Sequence, residues 1–103
     1  MARLLLTNAA DADIQDLMFD LGEKAGASVA GRYDADLDAL YRRLEIFPEM
    51  GARRPELGPA VRICTVLPDV VIYEYRSSDD LVVIMRVLHG RRHMTRRSLR
   101  SRT

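Results

Sequence analysis

The sequence predicts an α+β domain: an N-terminal strand, an antiparallel helical hairpin, a three-stranded antiparallel meander and a basic C-terminal tail. Three observations carry that expectation. Two stretches in the first half repeat apolar residues at the helical spacing, and the second half switches to a period near two. Between them, residues 48–60 hold three of the four prolines and two of the six glycines, the composition of an irregular connection.

Residues 2–7 (Ala-Arg-Leu-Leu-Leu-Thr) read as a short strand, because a compact apolar run stops at Thr7-Asn8, residues that favour a helix start. Asn8 followed by Asp11 resembles a capping box with Asp in place of the usual Glu. Ile14, Leu17, Met18, Leu21 and Ala25 then share one helical face, with Asp13, Asp16, Asp20 and Glu23 elsewhere around the cylinder. Gly26 stands where a left-handed residue ends a helix, and Ser28 is placed to cap the next one. The second helix carries the stripe Tyr33, Leu37, Leu40, Tyr41, Leu44 and Phe47, and ends there because Pro48 disfavours a helical residue before it. So short a link folds the two helices back on each other with their stripes on a common core.

After the connection, residues 61–67, 70–76 and 81–89 are rich in Val, Ile and Tyr, separated by Pro68-Asp69 and by Ser77-Ser78-Asp79-Asp80. Such short links make the strands consecutive antiparallel neighbours. The last strand is apolar on both faces, which predicts a place inside the sheet rather than at its edge.

The 103 residues are read as one domain, with 91–103 as its basic tail. A domain of this size hides only about two-thirds of the surface its unfolded chain exposes, so a partner that binds the folded state adds considerably to its stability. No apolar run is long enough to span a membrane, and Leu4, Leu5 and Leu6 are too few for a signal peptide, so a soluble, cytoplasmic protein without membrane partners is expected. Cys64 is the only cysteine, which excludes an intrachain disulfide and suits a small buried hydrophobe in a reducing compartment. No cofactor or metal is expected. Gly58-Pro59 is a turn rather than a phosphate loop, and His89 and His93 are separated by Gly90 at a strand end instead of sharing a helix face. Asp34, Asp36 and Asp38 spread around a helix as a solvated surface.

The net charge of +1 conceals segregation. From Asp11 to Met50 the acids (Asp11, Asp13, Asp16, Asp20, Glu23, Asp34, Asp36, Asp38, Glu45, Glu49) outnumber the bases (Lys24, Arg32, Arg42, Arg43), whereas from Arg86 onward there are seven arginines and no acid. An unbalanced basic end implies attraction to an anionic partner: DNA, RNA or an acidic protein segment.

Particular residues narrow the fold further. Leu44-Glu45-Ile46-Phe47-Pro48-Glu49-Met50-Gly51 resembles an "L…P.MG" junction, Arg62 opens the first meander strand, Tyr73-Glu74-Tyr75 resembles "Y.I.Y", and Ile84 to Arg92 resembles an "I.RVLHGRR" ending. In order and spacing, over residues 4–93, these resemble the RelE/ParE toxins of type II toxin-antitoxin systems, and the ending resembles the ParE branch more closely. The resemblance implies a bacterial toxin that arrests growth and is neutralised by a ParD-like antitoxin. A ParE-like member poisons DNA gyrase, whereas a RelE-like member cuts messenger RNA on the ribosome.

For the ribonuclease, the resemblance implies an arginine on the first meander strand, basic residues after the last, and a tyrosine near the C-terminus. Arg62 matches the first and Arg91 or Arg92 the second, but residues 90–103 contain no tyrosine. A nuclease would thus work through an atypical set, Arg62, Arg92 and His93, the histidine titrating close to neutrality. A gyrase poison needs no catalytic residue. Its target-binding surface is expected from Arg62, Arg86, His89, Arg91, Arg92, His93, Arg96, Arg97 and Arg100. Each has a structural alternative: Arg86 suits a core-edge carboxylate or carbonyl, His89 a strand end, and the tail arginines a solvated terminus. A third alternative is a binding module that keeps the fold without the toxicity.

Overall fold

The computed structural model describes residues 1–90. The predicted tail, with Arg91, Arg92, His93, Arg96, Arg97 and Arg100, lies outside the described residues. Strand β1 (Arg3–Leu6) leads into helix α1 (Asn8–Ala25), and one residue, Gly26, links it to α2 (Ala27–Ile46). Then come β2 (Ala52–Arg53), β3 (Val61–Val66), β4 (Asp69–Arg76), a single 3-10 turn (Ser77–Asp79) and β5 (Leu81–His89). No helix among the described residues is long and apolar enough to cross a membrane.

The expected meander is present, with β3, β4 and β5 pairing in sequence as antiparallel neighbours. The sheet around it is larger and mixed, five strands in the order β1-β5-β4-β3-β2. β1 runs parallel to β5, Arg3 opposite Leu81 and Leu6 opposite Ile84, which corrects the wholly antiparallel expectation. A short apolar run carries no sign of its direction, and only the return of the chain to its side decides it. β2 is the second addition, two residues from the predicted irregular connection that pair with Ile63 and Arg62.

Two apolar clusters occupy the two faces of the sheet, as strand alternation requires. One gathers Leu37, Leu40 and Leu44 of α2 with Val71, Tyr73, Val82, Ile84 and Val87. The other joins Val61, Val70, Ile72 and Leu88 with Leu57 from the connection. This explains why β5 is apolar on both sides. A bulge interrupts the β4–β5 ladder: Ile72 faces Arg86 and Tyr73 faces Ile84, leaving Met85 as the extra residue. Its carbonyl is taken by Thr7, whose Oγ1 donates to Met85 O at 2.8 Å and accepts the Ala10 N–H at 3.0 Å. Thr7, not Asn8, therefore caps α1. Ser28 caps nothing, because α2 starts directly behind Gly26, whose positive φ of 93° would strain any side chain.

Two further corrections concern the helix stripes. Ala25 and Phe47 are exposed, the latter at 63%. Asp13, placed off the apolar face, is 7% exposed and buried against the sheet. Its carboxylate takes Arg86 through both oxygens, Nε to Oδ2 at 2.7 Å and Nη2 to Oδ1 at 3.0 Å, and Oδ2 also accepts the Val87 N–H at 3.1 Å. A second polar tie runs from Tyr33 Oη on α2, which donates to Asp69 Oδ2 at 2.6 Å at the start of β4.

Removing one partner of a buried, bidentate pair strands the other charge, so Asp13→Ala is expected to destabilise the fold by about 3–5 kcal/mol. Asp13→Leu combined with Arg86→Met should recover much of that loss. Denaturant midpoints of the three chains check this, and a single variant as stable as the parent refutes it. Burial pushes the Tyr33 hydroxyl up from its ordinary value of 10.0, with Asp69 adding to the rise, and pushes Tyr41 up to about 12. Above pH 10 the folded chain thus holds protons that the unfolded chain has released. Stability is whole below that pH and falls as the pH climbs through about 12. Tyrosinate absorbance read beside circular dichroism tests the sign: ionisation of this pair coincides with unfolding, and ionisation of all four tyrosines near pH 10 in a folded chain contradicts it.

Candidate functional site

The junction between α2 and the sheet is where the most recognisable sequence motif meets the first candidate arginine. α2 closes with the Phe47 N–H donating to Arg43 O at 2.7 Å, and the Met50 N–H then turns back to Phe47 O at 3.1 Å. Tyr73 Oη, from the middle of β4, donates to Pro48 O at 2.8 Å and accepts the Gly51 N–H at 2.9 Å. Arg62 Nη1 donates to both Glu49 O and Gly51 O at 2.9 Å, while Nη2 lies 3.4 Å from Glu49 Oε2. A Cβ on Gly51 would come within 2.6 Å of Tyr73 Oη and 2.7 Å of Ile63 O, so only glycine lets the chain pass so close to the sheet. The Pro48–Gly51 turn is thus clamped by one tyrosine and one arginine. Arg62 holds main chain first and faces solvent second, its side chain 18% exposed.

The other candidates do not converge on it. Arg86 is 3% exposed and engaged by Asp13, so it belongs to the fold rather than to a target-binding surface. His89 is exposed at the end of β5, directly opposite Asp69. Arg62 sits level with Tyr73 and, across the next ladder, with Ile84. His89 is five residues further along β5, roughly 16 Å at the rise of a strand. Arg91, Arg92, His93, Arg96, Arg97 and Arg100 lie outside the described residues.

Acid–base chemistry finds little purchase on the described side chains. Burial raises the hydroxyls of Tyr33, Tyr41 and Tyr73, which removes them as bases near neutral pH. Tyr75 Oη donates to Asp80 Oδ1 at 2.7 Å. Burial likewise pushes up the half-buried Cys64 thiol, away from the reactive thiolate. Among the described residues no three His, Cys, Asp or Glu side chains are grouped to hold a metal ion.

Recognition surface is more evident. β1 is an edge strand with Leu5 55% and Leu6 38% exposed. Ala2 N–H donates to Glu45 O at 2.8 Å, which sets the end of α2 beside it. There Ile46, Phe47 and Met50 stand 55%, 63% and 44% exposed around a shallow apolar depression. On the far edge Arg53 of β2, which sequence reasoning passed over as part of an irregular connection, faces Arg62 of β3.

The clamp yields a direct test. Tyr73→Phe removes both hydroxyl bonds and leaves the buried Gly51 N–H unpaired, which should cost about 1–3 kcal/mol. Denaturant unfolding measures it. A loss below about half a kcal/mol, less than a single net hydrogen bond contributes, would show that the junction stands without the hydroxyl.

The family described as the ParE toxin of the type II toxin-antitoxin system parDE matches residues 4–94. Toxin ParE3 of Caulobacter vibrioides is 32% identical over 94 residues, covering 91% of this chain and 92% of that protein. The solved structure titled "Chromosomal ParDE TA system from P. aeruginosa" shares the fold with a TM-score of 0.71 at 23% identity, over 86% of this chain and 96% of that one. With the family match running across the two helices and the whole sheet, the chain belongs to the ParE toxins of type II toxin-antitoxin systems.

Proposed function

We propose that the protein is a cytoplasmic bacterial toxin that poisons DNA gyrase by binding rather than by catalysis, and that a ParD-like antitoxin neutralises it. The observation that carries this reading is the ParE family match across residues 4–94. Of the atypical nuclease set only Arg62 lies among the described residues, and there its guanidinium holds the main-chain carbonyls of Glu49 and Gly51. A ribonuclease needs a base and an acid set about the scissile phosphate, whereas a poison only has to stabilise a state in which its target has already cut DNA.

On this reading the target-facing set is His89, the solvent edge of Arg62, and Arg91, Arg92, His93, Arg96, Arg97 and Arg100. Family membership and the charge segregation support it. The antitoxin is expected to use the opposite chemistry. Leu5 and Leu6 on an open strand edge, and Ile46, Phe47 and Met50 at and just past the end of α2 that bonds to Ala2, suit an added strand or an amphipathic segment, and its carboxylates would meet the arginines.

The test is to incubate the purified chain with gyrase, supercoiled DNA and ATP, and in parallel with ribosomes translating a defined message. Trapped double-strand breaks with intact message are expected. Cuts placed by codon in the message, with no DNA breaks, would overturn the reading in favour of a RelE-like nuclease through Arg62, Arg92 and His93. A folded chain inactive in both assays and harmless when expressed would reduce it to a binding module.

A further inference from the structure

We propose that the β2–β3 edge carries a phosphate-binding cleft built on Arg53 and Arg62, a site that shares Arg62 with the proposed target-facing set but does not require gyrase to be the target. The two residues are directly opposite each other in an antiparallel ladder. Their Cβ atoms therefore stand about 5 Å apart on one face, an arrangement of like charges that is destabilising unless an anion lies between them. The nearest acid compensates only in part. Glu49 Oε2 is 3.4 Å from Arg62 Nη2, well beyond the distance of a strong charge-assisted bond, and its side chain is 70% exposed. The Arg53 side chain makes no hydrogen bond or ion pair among the described residues, in contrast to the next residue, Arg54, held by Glu56 at 2.6 Å, and to Arg76 at the end of β4, held by Glu74 at 2.7 Å.

The pair lines a cleft of about 240 Å³ together with Glu49, Ala60, Tyr75 and Ser77. Its walls supply the parts an oxyanion needs. Arg62 is preorganised, because Nη1 is pinned by two carbonyls and Nε and Nη2 are left with donors to spare. The exposed Arg53 adds a second guanidinium to the lining, and Ser77 is the lining residue able to add a neutral donor. The polar lining fits a phosphate better than a peptide, which would bring apolar side chains with it. Glu49 marks the position of the guest: a carboxylate loosely held by Arg62 is what a phosphate with more oxygens and more charge displaces. The phosphate can come from a small molecule or from a nucleic-acid backbone, since both present the same non-bridging oxygens.

Amide shifts of the full chain, titrated with inorganic phosphate and separately with a short oligothymidylate, test the site. Saturable shifts confined to residues around Arg53, Ala60, Arg62 and Ser77 are expected. Arg53→Ala, at an exposed and unpartnered position, should weaken phosphate binding about tenfold, the scale of one lost charge-assisted contact, and Arg53→Lys should restore part of it. Glu49→Gln removes the competing carboxylate and should strengthen binding. Tighter, salt-sensitive binding of the oligonucleotide that also depends on Arg53 assigns the cleft to a nucleic-acid backbone, and equal affinity for both probes assigns it to small phosphates. The absence of saturable shifts at this edge, or shifts unchanged by Arg53→Ala, would overturn the proposal, whatever the gyrase assay gives.

Discussion

Asp13 and Arg86 carry a carboxylate and a guanidinium into the packing between α1 and β5, and the arrangement of the first helix follows from how their desolvation is offset. Each ion taken out of water costs several kcal/mol, and mutual attraction compensates only when the geometry is good and the remaining lone pairs are filled. Here two oxygens meet two nitrogens, and the Val87 amide completes one of the oxygens. Such a pair tolerates little sliding, so it fixes the rotation of α1 about its axis. The bulge at Met85 belongs to the same arrangement. It shifts the alternation of β5 by one residue and frees a carbonyl for Thr7, which begins α1. The helix start, the strand irregularity and the ion pair thus specify one another.

The Pro48–Gly51 turn is a second constraint of the same kind, at the other end of the hairpin. Tyr73 reaches from β4 to hold both sides of the turn, Arg62 reaches from β3 to hold its carbonyls, and Gly51 has no Cβ to obstruct either. The chain can then cross from the helices to β2 without leaving buried main-chain groups unpaired. Among the described residues, Arg62, Arg86 and Tyr73 are therefore largely occupied in holding the elements together.

How much of this was legible depends on whether the signal is local. The helices and meander strands declare themselves through spacing, and Tyr33, Leu37, Leu40 and Leu44 fill the core as their stripe requires. Asp13 does not, because an aspartate on an acidic helix looks solvated until a cation 73 residues away lies across from it. Phe47 extends the apolar stripe by one more step, yet the turn at Pro48 carries it out of the core. β1 is visible as a strand and mute about its neighbour. Of the candidate site, Arg62 was singled out through the family resemblance, but Arg53 was not, since it acquires meaning only when β2 pairs and sets it opposite Arg62.

The two exposed surfaces of the domain are closer in space than their chemistry suggests. β1 and β2 lie at opposite edges of a five-stranded sheet, about 19 Å apart at four interstrand spacings. The end of α2 bridges that gap. Glu45 bonds to the main chain at the start of β1, and four residues later Glu49 is bonded to Arg62 on β3. The apolar residues between them, Ile46 and Phe47, form with Met50 the depression that Glu49 also borders, and Glu49 lines the polar cleft as well. A segment that covered the apolar depression would therefore lie against the carboxylate that tempers Arg62. Whether that contact frees or blocks the arginine depends on its charge: an acidic segment would replace Glu49 as the partner of the pair, and occupation of one surface would be felt at the other without any change of fold.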